Sequence, residues 1–292
     1  MNRQSSTDNV FILPSLIVVT LMTQFPFFLT IIYSMMRWNL SRPDLGRRFA
    51  WLANYWFFFT NPEFYTVVWQ TVLLTSVTLT MCSIFGFAFS VLLDNETFGI
   101  NIARTLLLGP FFVMSTASGV IWKTTILNTT FGWYGAAMRA LGIEPIDLLS
   151  NYPLSTITLL FVWQWVPFFI LIILTGLQSI PIDIVESSKI DGANWVQQIL
   201  GVKLPIIINH ISVAIMLGLV FITKDFGLIL VTTAGGPGTR SYTLPYSVYK
   251  QLYSASQVGR SAALAVITVG LLLTSISILY RWITAQSRTL GS

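Results

Sequence analysis

Charge is what this chain has least of. Lys and Arg together number 16 and Asp and Glu 11, so 27 of 292 residues (9%) are charged, while 54% are apolar. An ordinary soluble domain carries about 25% charged residues, and a soluble fold with so few could not cover its own surface. One Cys, Cys82, and one His, His210, are present. That excludes an internal disulfide and leaves no Cys/His metal cluster to assemble; both residues read as structural. With 19 Gly and 12 Pro, collagen-like and disordered classes are excluded as well. No Gly-Lys pair occurs, so the P-loop pattern G-x-x-x-x-G-K-[ST] is missing and this chain cannot bind and split ATP by that route. What remains is an all-α polytopic membrane protein.

The few charges locate the spans. Uncharged intervals of 18 to 35 residues separate Asp8 from Arg37, Glu63 from Asp94, Arg104 from Lys123, Asp147 from Asp183, Lys203 from Lys224, and Arg260 from Arg281. A spanning helix needs about 20 mostly apolar residues, so six transmembrane helices are expected in one domain covering 1–292, with a core at about 65–285. The first helix, about 10–36, is too long for a signal-peptide apolar region and has no small-residue cleavage site, so it reads as retained. Phe49 to Pro62 is aromatic-rich but too short to span, and suits the membrane interface. Thr124 to Met138 reads as a loop. The fifth helix is expected to run on to about Val231, which puts Lys224 and Asp225 inside it.

Between the fourth and fifth spans, residues 180–205 carry a helix–turn–helix pattern. Pro181 and Asp183 open a helix, and Asp183 and Glu186 favour its positive end. Gly192 stops it, and a second short helix from Ala193 to Gly201 precedes Pro205. Ser187, Ser188, Gly192 and Ala193 are small residues along what reads as one exposed part, where another protein could approach closely. The residues alone allow either a docking surface or a plain interfacial loop.

The spacing of Glu186, Gly192, Leu204 and Pro205 resembles the EAA loop of ABC-importer permeases, with Ser187 and Ser188 in place of the two alanines. Asp225 to Pro237, ending Ala234-Gly235-Gly236-Pro237, resembles the L-T-x-G-G-P stretch of the carbohydrate (maltose-type) branch. Val258-Gly259-Arg260-Ser261-Ala262-Ala263 resembles its Y-G-x-A-S-A element. Leu13-Pro14, Pro26 and Trp69-Gln70-Thr71-Val72 fit the same branch. The resemblance implies a bacterial or archaeal inner-membrane permease with cytoplasmic termini, and a cytoplasmic coupling helix (Glu186, Ser187, Ser188, Asp191, Gly192, Ala193) docking in an ATPase cleft. It further implies a second homologous permease, two ATPase subunits, and a periplasmic or extracellular solute-binding protein for a carbohydrate. No nucleic acid partner and no cofactor on this chain are implied; ATP and Mg belong to the ATPase. The distribution of basic residues disagrees. With termini inside, Arg3, Arg104, Lys189, Lys203, Arg281 and Arg288 face the cytoplasm, against nine Lys and Arg on the other side, a weak reversal of the positive-inside rule.

Ionisable residues inside a span face protein or water. Lys224 and Asp225 read either as a structural pair, with Lys224 snorkelling to the interface, or as pathway groups in which Asp225 accepts hydrogen bonds from sugar hydroxyls beside Phe221. In the fourth span Phe161, Gln164, Trp165 and Phe168 form one stripe. It reads as packing or as a sugar-stacking face in which Gln164 supplies donor and acceptor. By its offset from Glu186 the resemblance places Gln164, Trp165, Phe168, Phe221 and Asp225 along the sugar path, and Lys224 raises an anionic sugar. A different class, a standalone secondary transporter or channel with Lys224 and Asp225 in an ion path, would need internal repeats or broken helices. No convincing half-to-half repeat is found.

Overall fold

The computed structural model describes residues 4–94 and 99–290, with side chains from Leu13 to Arg281 outside that gap. The charges of Arg3, Asp8 and Arg288 lie outside the described side chains. In chain order the elements are α1 (Gln4–Ser34), β1 (Met36–Arg37), β2 (Arg48–Phe49), α2 (Ala53–Phe59), α3 (Pro62–Leu93), α4 (Ile100–Phe112), α5 (Ser115–Ile121), α6 (Trp133–Ala140), α7 (Leu148–Asn151), α8 (Pro153–Gln178), α9 (Ile182–Ile190), α10 (Trp195–Gln197), α11 (Leu204–Ile206), α12 (Ile208–Lys224), α13 (Gly227–Thr232), α14 (Leu244–Tyr249) and α15 (Val258–Leu290). Short π-helical turns fill Trp122–Ile126, Gln198–Lys203 and Lys250–Ser254.

Among the described residues five segments are long and apolar enough to cross a membrane: Leu13–Ser34, Pro62–Leu93, Pro153–Gln178, Ile208–Thr232 and Val258–Arg281. A bent pair, Ile100–Phe112 with Ser115–Ile126, passes the same test only when taken together and is bent by 100°. The described residues thus give five spans, or six with the bent pair counted as one, and both this pair and Ile208–Thr232 are interrupted. Val113 is extended (φ −81°, ψ 128°) between α4 and α5, and Asp225 is extended (φ −80°, ψ 129°) between α12 and α13. The fifth helix does reach Thr232, broken at the charged position. The segment Thr124–Met138, expected as a loop, is a correction: a helical turn continues to Ile126 and α6 begins at Trp133. Its Thr and Asn residues close the turn, with Asn128 Oδ1 accepting from the Thr130 and Phe131 amides, as such side chains do by mimicking backbone.

The chain divides into two compact units. The first combines residues up to Tyr65 with Ser247–Leu271. Its two-residue strands pair antiparallel, Met36 with Phe49 and Arg37 with Arg48, and buried Asn54 donates to the carbonyls of Ser34 and Met36 at 2.8 and 2.9 Å. The aromatic stretch expected at the interface forms α2, with Trp51, Trp56 and Phe59 exposed.

The second unit, Thr66–Tyr246 with the chain from Leu272 on, is organised around α8, two thirds of which is buried within the structure. Phe161, Phe169, Ile157, Ile170 and Ile173 are fully enclosed. Glycines on α3 and α12 let these helices close on α8: a Cβ at Gly86 or Gly218 would meet Phe169 at 2.6 or 2.8 Å. Lipid is as apolar as leucine, so tight packing of this kind, rather than the hydrophobic effect, holds membrane helices together. Cys82 is buried, its thiol toward the Val162 carbonyl, and the His210 ring rests on Gly176. Thr71, from the Trp69–Val72 stretch, accepts from the Leu244 amide at 2.9 Å and so anchors the start of α14.

Candidate functional site

Two places in the second unit carry the residues singled out by sequence. The first is the segment after α8. Asp183 lies in the first turn of α9 and Lys189 in the last, each favourable to the helix dipole. The helix ends in a Schellman arrangement. The Gly192 amide donates to Lys189 O at 3.1 Å and the Ala193 amide to Ser188 O at 3.0 Å, with Gly192 at φ +82°. A side chain added at Gly192 would meet nothing within 4 Å, so glycine is required here by backbone angle and not by crowding. Asn194 and Gln197 then form a capping box that starts α10, their reciprocal bonds 2.8 and 2.9 Å long. At the far end Lys203 Nζ meets Asp94 Oδ2 at 2.6 Å, which ties the loop to the residue after α3.

Glu186, Ser187, Asp191 and Gly192 are exposed and Ala193 is half-buried. Ser188 is a correction. It is buried and its hydroxyl donates to Val185 O, because the face it occupies turns inward. Large apolar side chains share the exposed surface with these polar ones: Ile182 is 70% exposed, Ile190 86% and Trp195 62%. Sequence reasoning looked for small residues and missed these. Large apolar side chains left in water on a segment full of charges were the available signal.

The second place lies where α4–α5 and α12–α13 break, against α8. Trp165 and Phe221 stack with ring centroids 5.8 Å apart and planes 14° from parallel. Phe168 meets both at 5.8 and 6.0 Å. Phe111, from α4, completes the cluster at 5.6 Å from Phe168; sequence reasoning did not name it. Lys224 is exposed with Nζ 4.6 Å above the Phe221 ring, a cation–π contact.

Each oxygen of the Asp225 carboxylate already accepts one hydrogen bond, out of about four lone-pair sites on the group. One oxygen accepts from the Ser115 hydroxyl, and the other accepts from the Gly227 amide at 2.8 Å. Buried Gln164 donates to Val113 O at 2.8 Å and to Ser115 Oγ at 3.3 Å. Gln164, Ser115 and Asp225 thus join the two helix breaks and satisfy groups the breaks expose, since backbone freed from a helix within the membrane must find partners in protein. The far end of α13 is tied as well, by Lys123 Nζ donating to Val231 O at 3.1 Å. Two polar atoms in the cluster, Gln164 Oε1 and Trp165 Nε1, are buried without a hydrogen-bond partner. A ligand entering among these rings would therefore meet aromatic faces, one acceptor, one donor and an ammonium. Among the described residues no group of three or more His, Cys, Asp or Glu could hold a metal ion.

No protein-family model matches the chain. It is 31% identical over 265 residues, which is 90% of this chain and 85% of the relative, to the probable ABC transporter permease protein y4oQ of Sinorhizobium fredii. The chain belongs to the ABC transporter permeases. A further relative of this permease is the trehalose/maltose transport system permease protein MalF of Thermococcus litoralis, 28% identical over 95% of this chain and 93% of the relative. Among solved structures the permease is similar to a chain of a bacterial ABC transporter that imports the acidic polysaccharide alginate. That match has a TM-score of 0.80 at 15% identity over 97% and 96% of the two chains, a likeness of fold. The permease is a multi-pass inner-membrane protein and not an enzyme; ATP is hydrolysed by a separate subunit. A standalone transporter or channel with Lys224 and Asp225 in an ion path is not favoured, and Asp225 is already engaged by Ser115 and Gly227.

Proposed function

We propose that the permease is the translocating subunit of a binding-protein-dependent importer for a sugar, polyol or sugar derivative. It pairs with a second permease of similar fold, two ATPase subunits that hold ATP and Mg, and a solute-binding protein on the outer side. The termini and the Glu186–Gly192 segment face the cytoplasm. The observation that carries the substrate class is the aromatic cluster of Trp165, Phe168 and Phe221 with buried, unpaired Gln164 Oε1 and Trp165 Nε1. Aromatic faces suit the C–H faces of a pyranose, and an orphaned acceptor and donor suit its hydroxyls, since a buried polar group without a partner is costly until a ligand supplies one. The relatives support the class, among them MalF and the probable starch degradation products transport system permease protein AmyD of Thermoanaerobacterium thermosulfurigenes.

In operation, ATP closes the ATPase dimer, the α9–α10 segment moves with it, and the spans rock between inward- and outward-facing states. The helix breaks at Val113 and Asp225, held together by Ser115 and Gln164, form the element that changes access to the aromatic cluster. The test is uptake by the assembled system of the carbohydrate its own binding protein retains. Trp165→Ala is expected to raise the half-saturating concentration by roughly three- to tenfold, the worth of one stacked ring, with ATP turnover still stimulated by loaded binding protein. Unchanged half-saturation would remove the cluster from the path.

A further inference from the structure

The first unit contains a cavity of about 700 Å³, lined by none of the residues of the aromatic cluster or the α9–α10 segment. Arg37, Arg42, Arg48 and Arg260 line it together with Trp56 and Phe57. Among the described residues no carboxylate lines it, and none of the four guanidinium groups forms an ion pair. Asp44, in the turn Pro43–Leu45 nearby in sequence, pairs with none of them. Arg260 is half-buried and stacks its guanidinium on the Phe57 ring at 3.8 Å, an arrangement that holds the fork in place and leaves its N–H edges to a ligand. Four cations around one cavity repel each other over distances that salt screens only partly, the Debye length being about 8 Å. An arginine cluster without acids is stabilised by an anion that accepts several N–H bonds at once.

The frame of this cavity is cross-linked through backbone bonds. Leu40 N donates to Ser256 O at 2.8 Å, Gly259 N to Trp38 O at 3.3 Å, and Asn39 bridges Gln257. Arg260 therefore starts α15 locked against the β1 segment that carries Arg37. Beside the cavity Trp51 and Trp56 are 72% and 71% exposed and Phe49 54%. Exposed indole rings at the end of a span are the mark of the membrane–water boundary, the depth of lipid headgroups.

We propose that this cavity is a phosphate site, taking the phosphate group of an anionic phospholipid headgroup or a free phosphate. Guanidinium forks match phosphate oxygens two at a time, and that geometry separates such a site from a merely basic surface. The site is independent of the transported solute, so a permease for a neutral sugar would hold the anion equally.

The test uses the full permease in its purified complex. One arm places it in nanodiscs of phosphatidylglycerol with phosphatidylcholine, and measures phosphatidylglycerol retained on the protein by native mass spectrometry. The other follows the thermal midpoint in lipid-depleted detergent against inorganic phosphate, with chloride at matched ionic strength. Retention of phosphatidylglycerol, reduced roughly tenfold in Arg37→Gln/Arg260→Gln and unchanged in Arg240→Gln, which removes an exposed charge outside the cavity, supports the lipid source. Stabilisation by inorganic phosphate with the same variant pattern supports the free anion. Arg42→Gln/Arg48→Gln, at two exposed positions, replaces the first variant should that one fail to insert. Equal loss in Arg240→Gln, or no response to either phosphate in the wild type, overturns the proposal. So does a loss confined to association with the solute-binding protein, which would assign the arginines to an acidic protein surface.

Discussion

Two single atoms decide much of this structure. A Cβ at Gly259 would lie 1.9 Å from the carbonyl oxygen of Met36, backbone against backbone, so no side chain can be accommodated without parting α15 from the β1 segment. Gly259→Ala is expected to cost about 3 kcal/mol or more, as an overpacked site that cannot relax, seen as loss of inserted protein or a lower thermal midpoint; an unchanged midpoint would contradict the packing. The Ser115 hydroxyl is the second case. It donates to Asp225 and accepts from Gln164, so Ser115→Ala leaves a carboxylate oxygen without its donor inside the membrane. A loss of about 1–3 kcal/mol is expected, measured by thermal unfolding of the complex, with recovery in Ser115→Thr, which keeps the hydroxyl. A Thr variant as weak as the Ala variant would mean that size, not the hydrogen bond, matters there.

At the scale of elements the proposed coupling segment has its boundaries set by local signals. Gly192 in the left-handed region, the Asn194–Gln197 capping box and the Lys203–Asp94 pair each fix one boundary. Lys203→Met should lower the thermal midpoint by the equivalent of about 1–3 kcal/mol, since both side chains are largely shielded from water and Asp94 is left without its partner. It should also reduce ATP-driven uptake further than stability alone explains, by freeing the loop from the end of α3. This segment was legible in sequence because proline and glycine act over three or four residues, whereas the Asn194–Gln197 capping box was not read there. The spans were legible because lipid forbids charge over about 20 residues. The helix breaks were not. Val113 and Asp225 bend because Gln164 and Ser115, far away in sequence, satisfy what the bends expose, and no local pattern encodes that. The same blindness put Ser188 on the surface and hid the bonds that Asp225 makes to Ser115 and Gly227. It also hid Phe111, which reaches the aromatic cluster only through the fold.

For the whole molecule, the second unit holds two separate features: an aromatic cluster at the helix breaks, proposed as the sugar path, and the α9–α10 segment with exposed Ile190 and Trp195, proposed as the ATPase contact. ABC permease membership requires that work done on a separate ATPase reach the spans, and the α9–α10 segment has the shape, the exposure and the fixed ends to carry it. The basic residues are distributed slightly against the proposed orientation, which therefore stands on the proposed contact of the α9–α10 segment with the ATPase. The measurement that tests the account most directly is ATP-driven uptake by the reconstituted complex carrying Gly192→Asp. Aspartate at φ +82° strains the turn by about 1 kcal/mol and sets a charge on the docking surface, while nothing nearby is displaced. The account predicts a permease inserted at the wild-type level with uptake lost and ATP turnover no longer stimulated by loaded binding protein. Uptake at the wild-type rate by the inserted variant would contradict it.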